Sequence, residues 1–137
     1  MQRTFTILKP DSVKAGNAGA IIQVLEKEGF KIRAAKMLHL TQGQAEGFYH
    51  VHRERPFFKD LVRFMTEAPV VMMVLEADDA INKLRKVMGA TDPAKADVGT
   101  IRKQFATNIE RNAIHGSDGP ETAAFEISYF FSQLEIV

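Results

Sequence analysis

Cysteine is absent from all 137 residues, which excludes disulfides, thiolate metal sites and cysteine nucleophiles. No apolar run approaches the roughly 20 residues needed to span a bilayer. Met1-Gln2-Arg3-Thr4 leads straight into a strand-like stretch, without the pattern of a secretory leader. The expectation is a cytoplasmic protein without membrane association. An excess of one charge is missing too: 18 Lys and Arg against 17 Asp and Glu leave a net +1. A protein that coats nucleic acid normally carries a basic surplus or stripe. Several catalytic signatures are also lacking. There is no G-x-x-x-x-G-K-[ST] loop, no H-R-D or D-F-G element, and no G-x-S-x-G elbow. A chain that handles phosphate without these parts must gather its cations by another route.

What is present is a globular composition, 45% apolar and 26% charged. No repeat, low-complexity tract or linker divides the chain, so residues 1–137 read as one domain. Domains near this size bury roughly 68–70% of their unfolded surface, enough for a true core.

Arg3 to Leu8 alternates apolar and polar residues and predicts a strand ending at Lys9-Pro10-Asp11. Ile21, Ile22 and Leu25 repeat at helical spacing up to Gly29. Lys31 to Thr41 reads as a second strand, with Ile32, Ala34, Leu38 and Leu40 on one face and Lys36 as the exception. A polar helix over Gln42 to His50 precedes an amphipathic one carrying Phe57, Phe58, Leu61, Val62 and Met65, introduced by Pro56. Val70 to Leu75 is nearly all apolar and predicts a strand buried on both faces, followed by a helix over Ala80 to Met88. Gly89 to Arg111 has little periodicity beyond a short helical turn at Thr100 to Phe105, and a loop this long is usually functional. Ala113 to His115 reads as a short strand, and Asp118…Glu121 as a capping box with Pro120 in the first turn of the last helix.

The order β-α-β-(α-α)-β-α-loop-β-α predicts an α+β, ferredoxin-like split β-α-β sandwich, with a four-stranded antiparallel sheet and helices on one face. A doubly wound sheet would place a glycine-rich turn after the first strand. Lys9-Pro10-Asp11-Ser12 stands there instead.

His115 is the candidate nucleophile, although a lone histidine at a strand end also reads as a satisfied structural residue. Gly116 removes a side chain beside the ring, which would let a bulky phosphate approach. Glu126 shares a helix face with Ala123 and Phe130, so its carboxylate is drawn toward apolar surroundings and needs a partner there. The alternative for Glu126 is a partly solvated helix residue. A carboxylate on one ring nitrogen of His115 would set the tautomer and leave the other lone pair free to attack. Lys9 ends the first strand, Arg85 shares a stripe with Ile81 and Met88, and Arg102 lies in the long loop. Each alone is compatible with an ordinary surface charge, though arginine's planar fork suits phosphate oxygens.

Five motifs carry a resemblance over practically the whole chain. They are Thr4-Phe5-Thr6-Ile7-Leu8-Lys9-Pro10-Asp11, Arg55-Pro56-Phe57-Phe58, Gly89-Ala90-Thr91-Asp92-Pro93-Ala94, Gly99-Thr100-Ile101-Arg102, and Asn112 to Asp118. In this order they are similar to the nucleoside diphosphate kinases. The resemblance implies a kinase that moves the γ-phosphoryl of a nucleoside triphosphate to a diphosphate by a ping-pong mechanism. His115 would be phosphorylated at Nδ1, and Glu126 would orient its ring. Lys9, Arg85 and Arg102 would bind and neutralise phosphates, with a hydroxyl from Thr91. Asn112 and Lys9 would contact the sugar, and Tyr49 would position Lys9. Phe57 would stack on the base, in a slot lined by Leu61 and Ile109, and Ser117 would support the histidine.

The implied ligands are ATP, GTP, CTP, UTP, their deoxy forms and the matching diphosphates. Mg²⁺ would be held mainly by nucleotide phosphates and water, with no metal site of the protein's own. No stable nucleic-acid partner is expected. Phe130 and Phe131, read as exposed aromatics, favour assembly, and a homotetramer is preferred over a hexamer. Ser12 departs from a frequent glycine, Asn17-Ala18 from an apolar pair, and Val98 from a frequent proline; none of these removes a catalytic group. The alternative is a non-catalytic nucleotide-binding or regulatory ferredoxin-like domain. An RNA-binding sheet would carry an aromatic RNP-type motif, which is missing.

Overall fold

Strand β3 (Val70–Ala77) is buried at every position, because the sheet it helps to centre is covered on both sides. The computed structural model describes residues 1–137. The other strands are β1 (Gln2–Leu8), β2 (Lys31–Leu38) and β4 (Ile114–Gly116). They stand in the order β2-β3-β1-β4, and every neighbour is antiparallel. The helices are α1 (Pro10–Lys14), α2 (Ala18–Lys27), α3 (Gln42–Phe48), α4 (Phe58–Met65), α5 (Ala80–Met88), α6 (Ile101–Phe105) and α7 (Pro120–Phe130). This is the split β-α-β, ferredoxin-like α+β arrangement.

Successive β3 residues face different layers. Met72 and Val74 join Phe5 and Ile7 under α3, α4 and α7, where Phe48, Phe64, Met65, Phe130 and Phe131 close the layer. Val71, Met73 and Leu75 join Leu8 and Ile114 against α2 and α5, with Ile21, Leu25, Leu84 and Met88. The expectation of helices on one face is therefore corrected. The crossovers α2 and α5 cover one side, while the α3–α4 hairpin and the returning α7 cover the other.

Strand β2 holds a second difference. A register irregularity between Ile32 and Ala34 sends Ile32 to the α2–α5 layer and leaves Ala34 and Leu38 on the opposite one. Lys36 shares the face of Ala34. It is tolerated because its ammonium lies over the Phe131 ring, 4.8 Å from Nζ to the centroid, and donates to Glu135. Phe130 and Phe131 are 9% and 5% exposed, with Phe130 stacked on Phe5 at 5.8 Å. They are core residues, and the argument for assembly that rested on their exposure falls away.

The last helix begins differently from the expected capping box. Thr122 Oγ1 accepts the Gly119 N–H at 3.0 Å and donates to Asp118 Oδ1 at 2.7 Å, so threonine and not Glu121 closes the first turn. Gly116 is also corrected. A Cβ there would meet Met88 Sδ at 2.6 Å and Leu84 Cδ2 at 2.9 Å, on the face opposite His115. The missing side chain lets α5 lie close to β4.

Gly116→Ala should accordingly destabilise the protein by about 1–3 kcal/mol, the usual cost of overpacking a filled core. Denaturant unfolding measures this. A midpoint equal to that of the wild type would show that α5 can shift without cost.

Candidate active site

The ladder between β1 and β4 sets His115 opposite Ile7, on the face covered by α3 and α7. The imidazole lies against two rings, Phe48 at 5.6 Å and Phe5 at 6.3 Å between centroids, both edge-on. Glu126, on α7, brings Oε1 to 2.9 Å from His115 Nε2, and Ser117 Oγ donates to the same oxygen at 2.7 Å. A carboxylate oxygen only accepts, so the proton belongs on Nε2 and the lone pair on Nδ1. Side-chain exposures of 22% and 12% for His115 and Glu126 leave the ring reachable and the carboxylate mostly enclosed.

Beside the ring is a cavity of about 260 Å³ whose walls include Tyr49, Arg85, Thr91, Arg102, His115 and Glu126. Larger open depressions exist. One of about 540 Å³ lies between α3 and α4 and is remote from the histidine. Another of about 560 Å³ shares Arg85, Thr91 and Arg102 with the site and adds Lys86 and Lys95. Chemistry, not size, singles out the smaller cavity: it alone combines a histidine with a free ring nitrogen and two guanidinium groups.

Arg102 is 7% exposed, held on α6, whose first turn is capped by Thr100 Oγ1. Its Nε donates to Asn112 O at 3.3 Å, Nη1 to Gly89 O at 3.1 Å and Nη2 to Ile114 O at 2.8 Å. Three of its five N–H groups thus brace the backbone around the site, and two remain for a ligand. Burial, and then the charge of Arg85, lower its pKa to about 10. Arg85 and Thr91 are exposed on the cavity wall.

Lys9 and Asn112 form a second group, buried beside the first, with Lys9 Nζ donating to Asn112 Oδ1 at 2.7 Å. Tyr49 does not join them. Its buried hydroxyl has no hydrogen-bond partner within the chain, and burial and the Glu126 carboxylate both raise its pKa. The expected contact from Tyr49 to Lys9 is thus not made. Of the three residues expected at the base, two are open to solvent. Phe57 is 48% exposed and Ile109 61% exposed, while Leu61 packs against the core. Ile109 borders a separate depression with Pro93 and Asn108.

The structure adds residues that the sequence reading passed over. Phe48 flanks the histidine, and the His52 ring lies 5.5 Å from that of Phe57 while also lining the cavity. Asp118 and Thr122 complete the wall. Periodicity could not mark His52, which lies in a short irregular turn, His50–His52. No three His, Cys, Asp or Glu side chains are grouped to hold a metal ion, and no helix is long and apolar enough to cross a membrane.

Lys9 generates a direct test. Burial and then the Arg102 charge lower its pKa from 10.5 to about 8, against the opposing pull of Asp11 and Glu110. Because folding lowers this value, the unfolded chain alone holds the proton between about 8 and 10.5. Stability should therefore rise with pH across that window, and the cost of burying the charge is fully present below it. Titration of ¹³C-labelled lysine side chains should show one ammonium with an inflection near pH 8, absent in Lys9→Met. A Lys9 inflection at 10.5 would mean that water reaches the ammonium.

Comparison with known proteins converges on one family. The family model for "Nucleoside diphosphate kinase" matches residues 2–136. A nucleoside diphosphate kinase of Desulfosudis oleivorans is 60% identical over 137 residues, covering 100% of this chain and 99% of the relative. One from Geobacter sulfurreducens is 57% identical, with 100% of both covered. Among solved structures, the Aquifex aeolicus nucleoside diphosphate kinase superposes with a TM-score of 0.97 at 49% identity, covering 99% of each chain. A halophilic nucleoside diphosphate kinase from Halobacterium salinarum, solved in complex with CDP, gives 0.95 at 40% identity, covering 99% of this chain and 91% of that one. Full-length agreement at this identity, on top of the matching geometry, places the chain in the nucleoside diphosphate kinase family.

Proposed function

We propose that this chain, acting as one domain over residues 1–137, transfers the γ-phosphoryl of a nucleoside triphosphate to a nucleoside diphosphate through a phosphohistidine on His115. The observation that carries the reading is the Glu126 Oε1 to His115 Nε2 bond of 2.9 Å, which leaves Nδ1 as the free nucleophilic atom beside two arginines. In the first half-reaction the Nδ1 lone pair attacks the γ-phosphorus. The bond from phosphorus to the bridging oxygen breaks, and the diphosphate leaves with that electron pair. The ring becomes cationic, still protonated at Nε2, and Glu126 offsets the new charge. In the second half-reaction a terminal oxygen of another diphosphate attacks the phosphorus, and the P–N electrons return to Nδ1.

Arg85 and the two spare N–H groups of Arg102 bind the phosphates, with Thr91 and the unpartnered Tyr49 hydroxyl in the same wall. Lys9 and Asn112, already paired, contact the sugar, and Ser117 steadies Glu126. These groups are in place before substrate arrives, so stabilising the developing charge requires little reorganisation. Mg²⁺ fits as a companion of the nucleotide. Asp118 is the second carboxylate of the cavity, and only its Oδ1 is engaged. When bound, the ion would neutralise phosphate charge. The CDP complex of the Halobacterium salinarum relative supports a nucleoside diphosphate as ligand. A cytoplasmic enzyme suits the cysteine-free composition. A homotetramer also belongs to this reading, supported by the outer strand β2, where Met37 is 58% exposed although the Val137 N–H covers Arg33 O; the light-scattering mass checks it.

Incubation with γ-labelled ATP should place acid-labile label on the protein, which then passes to added diphosphate. His115→Ala should abolish labelling while nucleotide binding persists. Glu126→Gln should slow labelling by about 10²-fold, the low end for an orienting acid–base group. Label on His115→Ala would overturn the mechanism.

Base choice should be broad. Phe57, Leu61 and Ile109 carry no side-chain donor or acceptor to read a base edge. Stacking on Phe57 should contribute roughly 1–3 kcal/mol to any base, by analogy with aromatic platforms for single strands. Phe57→Ala should thus lower kcat/KM for ADP, GDP, CDP and dTDP together. Selective loss for one base would reveal a polar reader elsewhere.

A further inference from the structure

Between Asn112 and His115 the backbone makes an unusual turn. Ala113 has φ +74° and is fully buried. The Ile114 N–H reaches back to Asn112 O at 2.9 Å, closing a three-residue γ-turn of the strained hand that L-residues seldom adopt. Such a conformation persists only where its surroundings overdetermine it.

Here the surroundings are specific. The Ala113 N–H donates to Asp11 Oδ2 at 3.0 Å. Its carbonyl accepts twice, from the Lys9 N–H at 2.9 Å and from Ser12 Oγ at 2.8 Å. Ser12 is 1% exposed, and this is the bond that satisfies its buried hydroxyl. One short segment, Lys9 to Ser12, therefore grips both sides of the Ala113 residue. It also supplies the ammonium that meets Asn112 Oδ1. On the far side of the turn, β4 is three residues long and pairs only with β1. Arg102 Nη2 on Ile114 O at 2.8 Å and Thr6 Oγ1 on His115 O at 2.7 Å hold the strand itself, and the turn sets where it begins.

We infer that Ser12, assisted by Asp11, is a positioning residue for His115: its hydroxyl holds the strained Ala113 turn and thereby sets the ring against Glu126 and the incoming phosphate. The consequence for transfer rests on the function proposed above; the grip on the ring does not. Ser12 touches no reacting atom and acts only through Ala113. The hydroxyl gives this chain a bond that a glycine after Lys-Pro-Asp lacks.

The test uses the full chain and two readouts. Because misplacing a reacting group by about 1 Å can cost 10²-fold, Ser12→Ala should slow labelling of His115 by γ-labelled ATP about 10- to 100-fold, with the ADP dissociation constant changed less than about twofold. In ¹⁵N-histidine spectra without nucleotide, the Nε2–H signal of His115 should be sharp in the wild type and broadened in Ser12→Ala. Adding Ala113→Gly should restore both readouts, since glycine takes positive φ without strain. If Ser12→Ala does not fold, Ser12→Cys keeps the shape with a weaker donor and should show the same losses in smaller measure. Unchanged labelling and an unchanged imidazole signal would overturn the inference, as would failure of Ala113→Gly to restore either. A wild type that is never labelled, but whose imidazole signal broadens in Ser12→Ala, would defeat the proposed activity and leave the positioning of His115 standing.

Discussion

An imidazole can serve as a phosphoryl carrier only if one nitrogen is tied down and the other is left bare, and the 2.9 Å contact between His115 Nε2 and Glu126 Oε1 imposes that condition. The two partners come from different elements, a three-residue edge strand and the last helix. Their meeting depends on how tightly both are seated. Ser117 holds the carboxylate from one side, and Phe5 and Phe48 hold the ring by its edges. On the reverse of β4, Gly116 lets Leu84 and Met88 come close enough to fix the strand from behind. Two-sided cover of the sheet is thus a requirement of the site as well as of the core.

The cations meet a second constraint. Phosphate recognition needs positive charge in a partly enclosed space, where each charge is costly unless paired or hydrogen-bonded. Arg102 resolves this by giving three bonds to carbonyls on both sides of the site. It is therefore a strut with two N–H groups still free for a ligand, and removing it would disturb the fold as well as the site. Lys9 has only an amide oxygen for its side-chain partner, which is why burial dominates its lowered pKa. A nucleotide's negative charge would relieve that cost, so binding and site stability reinforce one another.

Much of this was legible beforehand. The unbroken apolar run at Val70 to Leu75 marked a strand buried on both faces, and it contradicted a sheet with helices on one face only. The helix expected over Ala80 to Met88 is observed with those bounds; its buried stripe is Ala80, Ile81, Leu84 and Met88, and Gly89 ends it at positive φ. Other features left no local trace. The irregularity at Arg33 exchanges the faces of β2 within a run that still looks regular. Phe130 and Phe131 near the end of a chain look available for assembly until the Phe5 ring is found beneath them. Tyr49 lines the site, yet its buried hydroxyl has no partner within the chain and makes no bond to Lys9.

By itself the sequence pointed to the order of the strands and longer helices, to the family, and to His115, Glu126, Lys9, Arg85 and Arg102 as candidate groups, while the five-residue α1 left no periodic trace. Hydrophobic period marks the elements, and the resemblance of five motifs to the nucleoside diphosphate kinases carries the family and the groups; both are legible along the chain without its folding. The tertiary structure alone decided which N–H groups of Arg102 are already committed and why Ala113 can hold a positive φ, and it supplies the physical reason that Nδ1 of His115 is free. Each depends on partners that only folding brings together, whether they are 11 residues apart, as His115 and Glu126 are, 10 to 13 apart, as Arg102 and its acceptors are, or 101 apart, as Ser12 and Ala113 are. Neither hydrophobic period nor motif spacing says that the two members of such a pair will meet in bonding geometry.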